Sequence, residues 1–197
     1  KGAMGNHIWA PELHRIEGKW YIYFAAGGAE EKWKIRMYAL SNPSEDPTQG
    51  LWIEEGQIVS NVDKFSLDAT SFEHKGQRYL IWTDRASDKV VNTGLFIAKM
   101  TSPTTLDSKQ VVISQPEYDW EIKGHRVNEG PSVLIRNGKV FVSFSASATD
   151  ANYCIGLLWA DENADLLDPA SWKKSEKPVF YSNEALKRFG PGHNSFT

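Results

Sequence analysis

The chain has 197 residues, 41% hydrophobic and 24% charged, ordinary proportions for a globular protein with its own core. Its 22 basic and 25 acidic residues give a formal net charge of −3 and are scattered, so no Lys/Arg run tracks a phosphate backbone and nucleic acid is not an expected partner. No apolar run reaches the roughly 18 residues that span a bilayer, and the single cysteine, Cys154, excludes an internal disulfide and a thiolate zinc cluster.

Aromatic residues make up 12% of the chain and include eight Trp. Aromatics favour strands, so most of them read as strand and core filling; a minority can offer flat apolar faces to sugar rings. The N-terminus carries no secretory signal pattern, which says little because the chain opens on Lys1 rather than Met.

In chain order, the first predicted unit opens with Trp9-Ala-Pro-Glu12, turns at Gly18 and continues as Lys-Trp-Tyr-Ile-Tyr-Phe-Ala-Ala. A third strand begins at Ile35, the Pro-containing stretch from Ser41 makes a loop, and a more polar fourth strand runs over 51–59. The second unit opens with Asp68-Ala-Thr-Ser-Phe72, turns at Gly76, starts its third strand at Gly94 and its fourth at Gln110. The third opens with Glu129-Gly-Pro-Ser132, turns at Gly138, starts its third strand at Gly156 and closes with a fourth over 172–180. Gly190-Pro-Gly-His193-Asn-Ser-Phe then reads as the first strand of another unit.

The turn glycines are spaced by 58 and 62 residues, and each follows a polar residue (Glu17, Lys75, Asn137), the composition of a hairpin turn. Four antiparallel strands recurring every 60 residues or so predict an all-β protein, a β-propeller with three blades over about 6–62, 63–122 and 123–185 and the start of a next blade at 190–197, all in a single domain. A β-sandwich with long loops would explain the short strands but not the matched offsets. In a propeller the first strand of each blade lines the central channel, so the four opening motifs are expected to face one axis.

Asp68 and Glu129 stand eight and nine residues before their turn glycines, 61 residues apart. On successive blades they are expected to come close together. Two carboxylates in a cleft are the tools of glycoside hydrolysis, one protonated to donate to the leaving oxygen and one ionised. Asp and Glu also serve as ordinary surface and capping groups; the small neighbours Ala69 and Gly130-Pro131 are what leave room for a ligand here. His125 and Arg126 precede Glu129 closely enough to touch substrate, or else belong to a solvated loop. Trp82 and Trp159 follow strand periodicity and read as packing residues.

Four stretches, Trp9-Ala-Pro-Glu12, Ser66-Leu-Asp68-Ala, Glu129-Gly-Pro131 and Gly190-Pro-Gly-His193-Asn, resemble in order and wording the family 43 glycoside hydrolases. The resemblance implies a five-bladed propeller that cleaves arabinosides or xylosides with inversion, and His7-Ile-Trp-Ala-Pro-Glu-Leu-His14 is most similar to exo-acting α-L-arabinofuranosidases. By that resemblance Glu129 is the general acid and Asp68 orients it and tunes its acidity. Trp9 belongs to the sugar-binding subsite, and His193 lies near the channel centre beside calcium or another ion held through water. The general base, an Asp opening the first blade of the family, has no counterpart among the eight residues before Trp9, so this chain by itself is expected to be inactive.

The resemblance implies no organic cofactor, an arabinose- or xylose-containing oligo- or polysaccharide as substrate, and no membrane or nucleic acid as partner. It favours a secreted or periplasmic location and leaves the cytoplasm open. A β-xylosidase, an endo-arabinanase and a non-catalytic carbohydrate-binding propeller remain as alternatives.

Overall fold

A computed structural model describes residues 2–85 and 92–196. The chain is all β, with two single-turn 3₁₀ segments at Asp119–Glu121 and Pro169–Ser171. The first blade is an antiparallel sheet of β1 (Asn6–Ile16), β2 (Lys19–Gly27), β3 (Arg36–Asn42) and β4 (Ile53–Ile58) in that order. The second contains β5 (Leu67–His74), β6 (Gln77–Asp84), β7 (Asn92–Ser102) and β8 (Thr105–Ser114). The third contains β9 (Arg126–Arg136), β10 (Lys139–Ala146), β11 (Cys154–Asp161) and β12 (Lys173–Lys174). A short parallel pairing of Asn92 and Thr93 with Arg126 and Val127 continues one sheet into the next.

The three hairpins that define the repeat close as the turn residues predict. Glu17 and Gly18 have φ of 50° and 82°, Lys75 and Gly76 51° and 75°, Asn137 and Gly138 52° and 73°. Two successive positive φ values are the type I′ turn, whose twist matches that of the flanking strands. Glycine at the second position removes the Cβ clash, and the polar first residue tolerates it at the surface.

Two compact units divide the chain: Lys1–Ile81 with Ala98–Gln110, and Trp82–Ile97 with Val111–Thr197. In the first, the second half of β2 is buried at five successive residues, Tyr23 to Gly27, so both faces of that strand are covered and the sequence reads as an unbroken apolar run. Ala25 and Ile35 pack with Leu67 of β5, and Trp9 and Phe65 lean on them. In the second unit β10 buries Val140, Val142, Phe144 and Ala146. Trp82 is fully buried, with its indole N–H on Asp84, as expected of a packing residue, while Trp159 is half-buried on β11.

Two expected strands differ. The fourth strand of the third blade is not a ladder over 172–180: only Lys173–Lys174 pair with β11, and Phe180 adds one bridge to Ile155. Pro178 has no N–H to give, and the exposed charges of Lys173, Glu176 and Lys177 favour water over a continued edge. Gly190–Phe196 is likewise not assigned to a ladder, and Thr197 lies outside the described residues. This segment contains Pro191, has no hairpin partner among the described residues, and uses side chains to satisfy its polar groups.

Candidate active site

The blade-opening strands share a backbone feature that composition does not announce. Ala10, Asp68 and Gly130 each stand eight residues before the turn glycine of their hairpin, and their φ values are 49°, 54° and 55°. For a non-glycine residue the left-handed region costs roughly 1–2 kcal/mol, and such strain persists where surrounding packing over-determines it, commonly at functional sites. The pattern places Asp68 in register with Ala10 and Gly130. Glu129 falls one residue earlier, in register with Trp9 and Leu67. The two carboxylates are therefore not equivalent by position, as their unequal offsets from the glycines already hinted.

In the first unit, β1 pairs with β2 through Asn6↔Gly27, Trp9↔Ala25 and Glu12↔Tyr23, three residues on β1 for every two on β2. These are two bulges, one on either side of Trp9, and His7 and Ala10 supply the left-handed residues. Bulges bend a strand and re-aim its side chains. Trp9 is turned so that it leans on the Ala25–Ile35–Leu67 core while its ring centroid stays 4.6 Å from that of His7. His7 also stacks on Trp33, again at 4.6 Å, and Trp33 is 60% exposed. Trp9 is thus both a packing residue and the inner member of an aromatic surface. Glu12 accepts from or pairs with His14 at 3.0 Å, and Asp68 is buried on β5.

In the second unit, Ser132↔Ser143 is followed by Glu129↔Ser145, so β9 bulges at Gly130-Pro131. Gly130 is required there twice over. Its φ is left-handed, and a Cβ would lie 3.1 Å from Nδ1 of His193, whose ring sits against it. The His193 backbone N–H donates to Ser145 Oγ at 2.6 Å, and the Ser143 hydroxyl donates to the Asn194 carboxamide oxygen at 2.9 Å. The half-buried Glu129 receives a hydrogen bond at Oε1 from the Tyr153 hydroxyl, 2.7 Å away. Tyr153 is held in turn against Gly192, where a Cβ would come within 2.0 Å of its ring. Glu129, Tyr153 and His193 are therefore brought into one constellation by a bulge, two buried serines and two glycines.

Behind Glu129 lies a buried polar network. Glu121 has no solvent exposure; its Oε2 accepts the backbone N–H groups of Glu117 and Tyr118, and its Oε1 accepts Nδ2 of Asn128, at 2.8–2.9 Å. The Lys174 ammonium reaches Glu121 at 3.1 Å and lies over the rings of Tyr118 and Phe144. Asn128 also accepts from Ser114 Oγ at 2.6 Å. The residue that precedes Glu129 is thus fixed from three directions.

His125 and Arg126 are exposed at the start of β9, and Arg126 donates to the Pro116 carbonyl at 3.3 Å. Among the described residues no three His, Cys, Asp or Glu side chains form a group able to hold a metal ion. His193 offers calcium one nitrogen where that ion takes six to eight oxygens, so an ion beside it would rest on water. Burial pushes the Cys154 thiol up to about 11, so it provides no nucleophilic thiolate.

Sequence reasoning missed Tyr153, Trp33 and the Glu121–Lys174 pair. Tyr153 directly precedes β11, 24 residues beyond Glu129, and no repeat position marks it; only the fold joins the two.

A family model described as glycosyl hydrolases family 43 matches residues 1–197. The extracellular exo-α-(1→5)-L-arabinofuranosidase of Streptomyces chartreusis is 54% identical over the whole chain, which covers 60% of that protein. The α-L-arabinofuranosidase B of Pyricularia oryzae is 54% identical, and the chain covers 41% of it. The crystal structure of an α-L-arabinofuranosidase from Lactobacillus brevis superposes with a TM-score of 0.95 at 50% identity, over the whole chain and 62% of that structure. The fold is that of the β-propeller hydrolases, and the chain spans 60% or less of the length of these curated relatives.

Proposed function

This chain belongs to the glycosyl hydrolases family 43, and we propose that the protein it forms part of removes terminal α-L-arabinofuranosyl groups from arabinan or arabino-oligosaccharides, with inversion. The observation that carries the reading is Glu129: a carboxyl group set at a bulge, half-buried, with one oxygen held by a phenol. That arrangement fixes a carboxyl group in place, as a proton donor requires.

In the proposed reaction the Glu129 carboxyl protonates the glycosidic oxygen as the bond to the anomeric carbon breaks, and the electron pair goes to that oxygen. A water on the opposite face adds to the anomeric carbon and gives its proton to a second carboxylate, as inversion requires. We assign that base to the rest of the protein. Asp68 orients the acid and favours its protonated form by like charge. Trp9, with His7 and Trp33, offers the apolar faces on which sugar rings lie. His125 and Arg126 line the approach to the acid. No organic cofactor takes part, and an ion beside His193, if bound, would be held through water. Relatives named extracellular support action outside the cell.

The test is the full-length protein with two aryl glycosides. Release of p-nitrophenol from the α-L-arabinofuranoside is expected to exceed that from the β-D-xylopyranoside by roughly 10²-fold or more, since a site built to hydrogen-bond the hydroxyls of one sugar leaves polar groups unpaired against another. Proton NMR of the first product should show the inverted anomer. A preference for the xyloside, or internal cuts in arabinan without release of monomer, would replace this reading with the β-xylosidase or endo-arabinanase one.

A further inference from the structure

We propose that Tyr153 is a positioning residue for Glu129, an inference that rests on Glu129 being the proton donor. Three observations point to it. The phenol oxygen lies 2.7 Å from Oε1 of Glu129, the distance of a strong O–H···O hydrogen bond. Tyr153 is only 8% exposed and its ring has no freedom to leave, because Gly192 is packed directly on it and the neighbouring Gly190 is packed on the Asp150 carbonyl. The Tyr153 backbone N–H is tied to the Asp150 carbonyl at 3.1 Å, which fixes the residue just before β11.

The consequences follow from which oxygen is held. With Oε1 accepting from the phenol, the transferable proton belongs on Oε2, and the bond opposes the carboxyl rotation that would exchange the two. When Oε2 gives its proton to the glycosidic oxygen, the group left behind is a carboxylate. A hydrogen bond to a carboxylate is about twice as strong as one to a neutral carboxyl. The Tyr153 bond therefore strengthens as the proton leaves, and an interaction that grows along the reaction lowers its barrier. Tyr153 keeps its own proton throughout and forms no bond to the sugar.

The same logic predicts the pH behaviour. The phenol favours the ionised form of Glu129. Without it the carboxyl keeps its proton to higher pH, so the basic limb of the kcat/KM profile moves upward. Tyr153→Phe in the full-length protein is expected to shift that limb up by about 0.5–1 unit. It should lower kcat on arabino-oligosaccharides on the order of 10-fold, about 1.4 kcal/mol, with a much smaller loss on the p-nitrophenyl substrate, which needs little protonation. Gly192→Ala pushes the ring aside without removing the hydroxyl and should move the limb in the same direction.

Glu129→Gln is assayed beside them. If it abolishes activity on oligosaccharides while Tyr153→Phe leaves the basic limb in place, the positioning role is overturned although the acid assignment stands. If Glu129→Gln itself retains oligosaccharide activity, the acid assignment fails and the role of Tyr153 falls with it. A purely structural tyrosine would lower the melting temperature, leave the limb unmoved and affect both substrates equally, which also overturns the inference.

Discussion

Glu129→Gln in the full-length protein should lower turnover on natural arabinosyl linkages by roughly 10²–10⁴-fold, the usual contribution of one general acid or base. The carboxamide has nearly the shape of the carboxyl and can still meet the Tyr153 hydroxyl, but it has no acidic proton to give. An alkoxide sugar is a poor leaving group and depends on that proton; p-nitrophenolate does not. The loss on the aryl arabinofuranoside should therefore be smaller by at least an order of magnitude, with little change in KM for either substrate. Thermal stability should hold, because the half-buried side chain loses no packing. Equal losses on both substrates would remove Glu129 from the donor role.

Lys174→Met should have the largest effect on stability. Its side chain is 10% exposed and its ammonium is the cation set against the fully buried Glu121. Removing one partner of a buried pair leaves an uncompensated charge and costs about 3–5 kcal/mol. The backbone N–H groups of Glu117 and Tyr118 would still solvate Glu121, so the lower end of that range is expected. For a domain of this size each kcal/mol lowers the melting temperature by about 2–4 °C. Because Asn128 donates its Nδ2–H to the same carboxylate, activity should fall together with stability. Replacing both partners, Glu121→Leu with Lys174→Met, should recover part of the loss, since a buried pair exchanged for apolar groups is often neutral. A single variant as stable as the parent would show that water reaches the pair.

Glu129→Gln is expected to change rate without stability, and Lys174→Met to change both. Tyr153 stands between them, since it touches the acid directly yet is itself seated by Gly192.

The amino-acid sequence by itself determined the repeat, the plan of four strands per blade and the positions of the hairpin turns. Those features are local: Glu17-Gly18, Lys75-Gly76 and Asn137-Gly138 need two positive φ values, and alternating aromatic and β-branched runs need a sheet on either side. Resemblance of four short motifs was enough to anticipate the family and to single out Glu129, Asp68, Trp9 and His193. Only tertiary structure decided what each of these residues meets. Ala10 adopts left-handed backbone although nothing in its chemistry asks for it, because the bulges on either side of Trp9 impose it. Tyr153 reaches Glu129 across 24 residues, and Lys174 reaches Glu121 across 53, through contacts that no period or spacing encodes. The edge of the third blade shrank to Lys173–Lys174 because a strand needs a neighbour as well as a propensity, and Pro178 and the surrounding charges give that edge little to pair with. A turn is written in two residues; a site is assembled from side chains whose closeness is a property of the fold.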